Sequence, residues 1–427
     1  PEPNLSLTVF AVRNMAAHDA TEEGILKTSI TWADFESNLR TALGTEARLG
    51  PNKSVLDIGD GNGFVSCCGL VTCDWIDAAP GEKLPKSVVI KIPSILPLRR
   101  MNDMLPAGQK MFDYDEERWA QMESQIGEIH NNEVAAYDFL EEFNGLTMPK
   151  KIYGRAILAE EKVSGQLCLQ YMENSRMMNF YEKHSVEQVK QIARALGKIQ
   201  ACSLKKEVTN PVLHNSFFEK LADHWTLEAF RAMFKGMSAI DSSEETTKLM
   251  EKIDELVPAV YASFRDSMFH SKMGFKGVLV NGDLHTGNVL IDKDTGNLAA
   301  LIDWQCTHLG IGAEDLHRIA MSSLLTKERR ASMPMLLEEM YKSMVANLDG
   351  ADVPYSLEEL YVLSDQVFPL SALLFASTFT AFINKMDKDP SLSDTEKAER
   401  KEIMMDKILG ILEDVVELDA KNNNNKK

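Results

Sequence analysis

One stretch constrains this chain of 427 residues more than any other: 277–304, GVLVNGDLHTGNVLIDKDTGNLAALIDW. An apolar run at 278–280 opens into the polar loop Asn281-Gly-Asp283-Leu-His285-Thr-Gly-Asn288. A second apolar run (289–291), turn-forming residues (292–297) and a returning run (298–302) follow, ending on Asp303. Turn chemistry between two short apolar runs predicts a β-hairpin. Asp283 and Asn288 lie outside that turn, so turn-making does not account for them. Asp-x-x-x-x-Asn followed by a strand-borne Asp suits phosphoryl transfer. One carboxylate orients and deprotonates an attacking hydroxyl, while an amide oxygen and a second carboxylate hold Mg²⁺ on nucleotide phosphates.

The rest of the chain reads as an α+β protein of two lobes, since its length exceeds what one core holds. Residues 1–50 form a helical lead. In it Thr31 starts a helix with Trp32, Phe35, Leu39 and Leu43 on one face, and Gly44 stops it. Residues 51–173 form a β-rich lobe, with strands expected at 55–58, 64–75, 87–92, 151–153, 156–159 and 167–172. Between them lie an irregular excursion at 93–124 and a helix from about Gln125 to Phe143. Residues 174–418 form a larger helical lobe. Its first helix follows the capping box Ser185-Val-Glu-Gln188, and others are expected at about 216–235, 244–268, 314–325, 331–348, 356–384 and 393–418. The tail 419–427, rich in Asn and Lys, is expected to be disordered.

Composition narrows the function classes. A net charge of −18 argues against a nucleic-acid binder, which needs a basic surface. Six cysteines without zinc or disulfide spacing fit a reduced, cytoplasmic chain. No signal peptide is expected from Pro-Glu-Pro-Asn. The apolar segment 367–383 is short for a span and carries Pro369 and several hydroxyls, so a buried helix is expected there and no membrane span.

Two further features belong with the hairpin. Residues 55–63 carry Gly59, Gly61 and Gly63 and match a dinucleotide or S-adenosylmethionine turn. That reading demands a helix straight after the glycines, yet 64–75 is rich in β-formers and contains Gly69. A glycine hairpin over nucleotide phosphates fits better. Lys91 lies in the otherwise apolar Val88-Val-Ile-Lys-Ile92, where an ammonium needs a partner. Glu133 is the candidate: Ile126, Ile129, Tyr137 and Leu140 surround it on one helical face, while Glu128 and Glu142 point away. A Lys91–Glu133 salt bridge is predicted. His285 reads as an orienting residue of the loop, and Asp315 as a helix cap that braces it.

Asn281-Gly-Asp283-x-His285-x-x-Asn288 with Ile-Asp303-Trp resembles the core of aminoglycoside phosphotransferases and choline kinases. Thr31-Trp-Ala-Asp-Phe, Ile58-Gly-Asp-Gly-Asn-Gly-Phe64 and Asn132-Glu133-Val-Ala-Ala-Tyr137 look like the nematode branch of the ecdysteroid-kinase-like, CHK-type family. The resemblance covers nearly the whole chain and implies a protein-kinase-like two-lobed fold using ATP and Mg²⁺ on a hydroxyl-bearing small molecule. It makes Asp283 the catalytic base and Asn288 and Asp303 the metal ligands. Lys91 and Glu133 secure the nucleotide, and the backbone from Gln170 through Met172 to Glu173 is the hinge against adenine. Asn281 departs from it, because many relatives carry His there. A catalytically silent nucleotide-binding module is the main alternative, and a methyltransferase using the 55–63 turn a lesser one.

Overall fold

The computed structural model describes residues 24–59, 65–103, 115–158, 164–214, 240–265 and 274–424, with three positions between 227 and 231. The chain forms two compact units. Among the described residues, one holds those from 24 to Glu142 together with Met148–Glu173, and the other holds Phe143–Thr147 and those from Asn174 onward.

In the first unit, α1 (Trp32–Leu43) starts at Thr31 with a reciprocal capping box to Asp34 and ends at Gly44, whose φ of 64° is left-handed. Short strands β1 (Arg48–Leu49) and β4 (Trp75–Ile76) pair with each other. The main sheet is built from β2 (Ser54–Asp57), β3 (Ser66–Thr72), β5 (Ser87–Pro93), β6 (Lys151–Arg155) and β7 (Gln166–Gln170). Its order is β2-β3-β5-β7-β6, and every pairing is antiparallel. Directly opposed residues share a face, so the register sorts the side chains. Val71, Val88, Ile90 and Cys168 point to a core closed by Phe35 and Leu39 of α1. The opposite face carries two rows, Leu56–Leu70–Val89–Leu169 and Cys68–Lys91–Leu167.

Helices α2 (Leu96–Asp103) and α3 (Glu116–Leu140) complete this unit. The start of α3 corrects the expected one at Gln125. Asp115 caps it by accepting from the Arg118 N–H, and Trp119 and Met122 carry its buried stripe toward the N-terminus. A run of charged residues there hid the helical period. The strand expected at 156–159 is reduced, over its described part, to a single bridge at Leu158: the Ile157 N–H and C=O are both satisfied by the Asn131 side chain, at 2.7 and 2.9 Å, in place of a ladder.

The second unit holds β8 (Ser175–Met177), α4 (Val186–Lys205), α5 (Glu244–Arg265), β9 (Val278–Val280), β10 (Val289–Asp292), β11 (Leu298–Leu301) and β12 (His308–Gly310). After these come α6 (Ala313–Ser323), α7 (Thr326–Ala346), α8 (Leu357–Asp387) and α9 (Asp394–Asn424). Antiparallel β10 and β11 form the expected hairpin, with β8 added at its edge. Strand β9 pairs with β12. Helix α4 begins with the Ser185–Gln188 capping box and crosses α7 closely at Gly197, where a Cβ would lie 2.3 Å from the Met340 carbonyl oxygen. Helix α8 passes Pro369 unbroken, and its Phe368, Leu373, Phe375, Phe379 and Ile383 are buried. Within it, Leu357–Ala376 is long and apolar enough to cross a membrane, yet 61% of that window is buried inside the protein. Over its described part, 419–424, the tail expected to be disordered is helical, because α9 runs through Asn424; 425–427 lie outside the described residues. Extending a docked helix costs far less than nucleating one. The helix expected at 216–235 lies mostly outside the described residues.

Candidate active site

Strand β9 delivers Asn281, Gly282 and Asp283, and the hairpin delivers Asn288 and Asp303. Hydrogen bonds tie these residues into one loop system. Asn281, fully buried, donates through Nδ2 to the Asp303 carbonyl at 3.0 Å and accepts the Asp283 N–H on Oδ1 at 3.1 Å. It braces the loop. Asn288 donates through Nδ2 to the Asp283 carbonyl at 2.9 Å, which leaves its amide oxygen as the acceptor available to a cation. Asp303 has a φ of 59°, a left-handed conformation that is costly for a non-glycine residue and clusters at functional sites. Gly282, at φ 80°, is required by space as well as by conformation: a Cβ there would sit 2.3 Å from the Cys306 carbonyl oxygen.

Asp315 braces the loop, though not as a helix cap. Gly312 occupies the N-cap of α6, and Asp315 is its third residue. Its two carboxylate oxygens accept from the Asn281 and Gly282 N–H groups at 2.6 and 2.9 Å. Burial, aided by neighbouring Glu314, pushes its pKa up to about 6 against those hydrogen bonds. His285 accepts the Gly287 N–H on Nδ1 at 3.0 Å and packs its ring against Phe180, 5.1 Å between centroids. Burial holds its pKa below the ordinary histidine value, so it works as a neutral orienting group.

Asp283 keeps 36% side-chain exposure within this buried surround. Burial raises its pKa, with Asp303 and Glu314 adding to the effect and His285 and Arg318 opposing it. Arg318 was not anticipated from sequence. Its Nη1 lies 3.4 Å from Asp283 Oδ1. The signal was its place three residues after Asp315, on the same face of α6.

In the first unit, Lys91 Nζ lies 2.6 Å from Glu133 Oε2, and the side chains are 12% and 2% exposed. This is the predicted salt bridge. Ile126, Ile129, Tyr137 and Leu140 are buried around Glu133, as their spacing implies, while Glu128 is exposed. Gly59 donates its N–H to Asp57 Oδ1 at 3.0 Å, and a Cβ there would meet the Cys68 backbone at 3.2 Å. Gly61 and Gly63 lie outside the described residues. Gln170 ends β7 with its N–H on the Lys150 carbonyl, and half-buried Met172 follows it. After the glycine turn the chain returns as β3, antiparallel to β2. A dinucleotide or S-adenosylmethionine turn needs a helix and a parallel crossover there, so the structure removes both readings.

Among the described residues no cluster of three His, Cys, Asp or Glu side chains could hold a metal alone. The Asn288 amide oxygen and the Asp303 carboxylate are hard oxygen donors of the kind Mg²⁺ takes, one or two protein groups together with substrate phosphates.

A family model, DUF1679, described as "Uncharacterized oxidoreductase dhs-27", matches residues 19–423. The chain belongs to this family. It is also similar to the uncharacterized kinase-like protein D1044.1 of Caenorhabditis elegans, 25% identical over 377 residues, covering 85% of this chain and 93% of that protein. Among solved structures it is similar to choline kinase from Cryptosporidium parvum, at 11% identity and TM-score 0.48, covering 87% and 91% of the two chains. Plasmodium vivax ethanolamine kinase matches at 12% identity and TM-score 0.41, covering 86% and 85%. At these scores neither structure carries weight for function.

Proposed function

We propose that this protein is an ATP- and Mg²⁺-dependent phosphotransferase acting on a hydroxyl of a small molecule, in the CHK-type, ecdysteroid-kinase-like group. The observation that carries the reading is the loop from Asn281 to Asn288, bonded through Asn281 to Asp303. It supplies a partly open carboxylate, a free amide oxygen and a second carboxylate on a strained backbone. Asp283 would orient and deprotonate the acceptor hydroxyl, and Asn288 Oδ1 and Asp303 would hold Mg²⁺. When bound, Mg²⁺ would neutralise charge on the phosphates.

Lys91, fixed by Glu133, would contact the nucleotide phosphates under the Gly59–Gly63 turn. Leu56 and Ile58, 64% and 39% exposed, offer an apolar surface to the base, and Gln170 to Met172 would serve as the hinge beside it. The relative's kinase-like name supports the reading. The word oxidoreductase in the family description does not fit this chain's antiparallel sheet, which has no dinucleotide crossover among the described residues. A cytoplasmic location is part of this proposal; none of the six cysteines forms a disulfide.

A metabolite extract incubated with labelled ATP and Mg²⁺, beside Asp283→Asn, tests the function. Acceptor-dependent label that vanishes in the variant is expected. Equal label with both proteins would rule out Asp283 as the base, and no label with either, despite ATP binding, would favour a silent nucleotide-binding module.

A further inference from the structure

Behind Asp283 runs a ladder of buried charges. Arg318 Nη1 faces Asp283 Oδ1 at 3.4 Å, and its Nη2 faces Glu314 Oε1 at 3.7 Å. The other oxygen of that carboxylate, Glu314 Oε2, lies 3.4 Å from His308 Nε2. His308 Nδ1 meets the Cys306 carbonyl oxygen at 3.0 Å. Side-chain exposures are 4% for Arg318, 13% for Glu314 and 6% for His308. Both ring nitrogens of His308 therefore face atoms that only accept, and an imidazole satisfies two acceptors only when both nitrogens carry protons. Burial works against that charge, but Glu314, the Cys306 carbonyl and nearby Asp315 together hold the His308 pKa above the ordinary value. Signs then alternate along the ladder: imidazolium, carboxylate, guanidinium, carboxylate. It also touches the loop a second time, because the Cys306 carbonyl and the His308 ring fill the space that a side chain at Gly282 would need.

We propose that Arg318, held by Glu314 and a doubly protonated His308, is the positioning residue for Asp283: it occupies Oδ1 and leaves Oδ2 to the acceptor hydroxyl. This rests on the phosphotransferase reading for its consequence but not for its geometry. A guanidinium suits the task because its planar fork reaches two carboxylates in fixed directions, which a lysine cannot do. The ion pair with Glu314 keeps the fork from rotating away when Asp283 takes up a proton.

Two measurements need no turnover. Long-range ¹H–¹⁵N spectra of the full chain at pH 7.5 should show both His308 ring nitrogens at imidazolium positions, and Glu314→Gln should convert them to a neutral tautomer. A neutral His308 in the unaltered protein would overturn the ladder. In a thermal-unfolding cycle, Asp283→Asn should recover part of the melting temperature lost in Arg318→Met, because the orphaned carboxylate is removed; strictly additive shifts would overturn the pairing. Should Arg318→Met fail to fold, the same cycle with Arg318→Lys, expected to be intermediate, keeps the pairing open to refutation. With an acceptor from the extract screen, Arg318→Met should lower kcat about ten- to hundredfold with ATP KM little changed, and Arg318→Lys should restore part of it. A change confined to KM would show that Arg318 does not act through Asp283. Absence of turnover in the unaltered protein would count against the phosphotransferase reading alone, since the spectra and the cycle report on the ladder independently.

Discussion

Replacing Lys91 by Met removes the cation from a carboxylate that keeps only 2% exposure. At 2.6 Å the attraction is roughly 6 kcal/mol at an effective dielectric of about 20. The gross figure is not the net loss, because the variant no longer desolvates an ammonium. Breaking a buried pair from one side costs about 3–5 kcal/mol. Protonation caps that cost: neutralising an ordinary glutamate at pH 7.5 takes about 4 kcal/mol, and at pH 5.5 less than about 2 kcal/mol. Lys91→Met should therefore lower the melting temperature of the first unit by about 10 °C at pH 7.5 and by much less at pH 5.5. Lys91→Met with Glu133→Leu should recover most of the loss, since a packed apolar pair commonly replaces a buried ion pair without cost. Differential scanning calorimetry of the three proteins at both pH values reads this directly. A single variant within about 2 °C of the unaltered protein at pH 7.5 would show the pair to be solvated. A double variant no more stable than Lys91→Met would show that Glu133 does not depend on Lys91.

Asp283→Asn should lower phosphate transfer about 10²- to 10⁴-fold while ATP binding, measured by calorimetry, is unchanged; weakened binding would place Asp283 with the nucleotide instead. Gly282→Ala should abolish transfer and destabilise the second unit, because its Cβ would meet the Cys306 carbonyl; a variant with full activity would refute the close approach. His130, His184 and His317 are held by burial at pKa values of about 4, below the ordinary histidine value. Their contribution to stability is complete above about pH 6.5 and is lost as pH falls through about 4, because the unfolded chain binds the protons first. Melting temperature should drop steeply across that window, and His130→Gln should reduce the slope; an unchanged slope would mean that His130 binds its proton equally well in the folded and unfolded chain.

Much of this arrangement is legible in the order of residues because its causes are local. A capping box at Ser185, a left-handed glycine at Gly44 and turn-forming residues between two apolar runs act within a few positions, so pattern alone finds them. The carboxylate at Glu133 could be paired with Lys91 because an apolar stripe around a charge demands a cation. The charged opening of α3 and the side-chain bridge from Asn131 to Ile157 obscured the same kind of pattern.

Other features exist only after distant segments meet. Lys407 reads like any helical lysine, yet it is fully buried with its ammonium donating to the carbonyls of Phe180, Glu182 and Ser322 at 2.8 Å each, and burial brings its pKa down to about 7. Asp315 takes two loop N–H groups rather than capping its own helix, and Arg318 reaches Asp283 across 35 residues of chain. A charge leaves water only where another part of the chain replaces its hydration, and which part does so depends on how helices and strands cross. Local periodicity carries no record of that crossing. The residues suited to phosphate chemistry were written along the chain, and the groups that hold them in place were decided by packing.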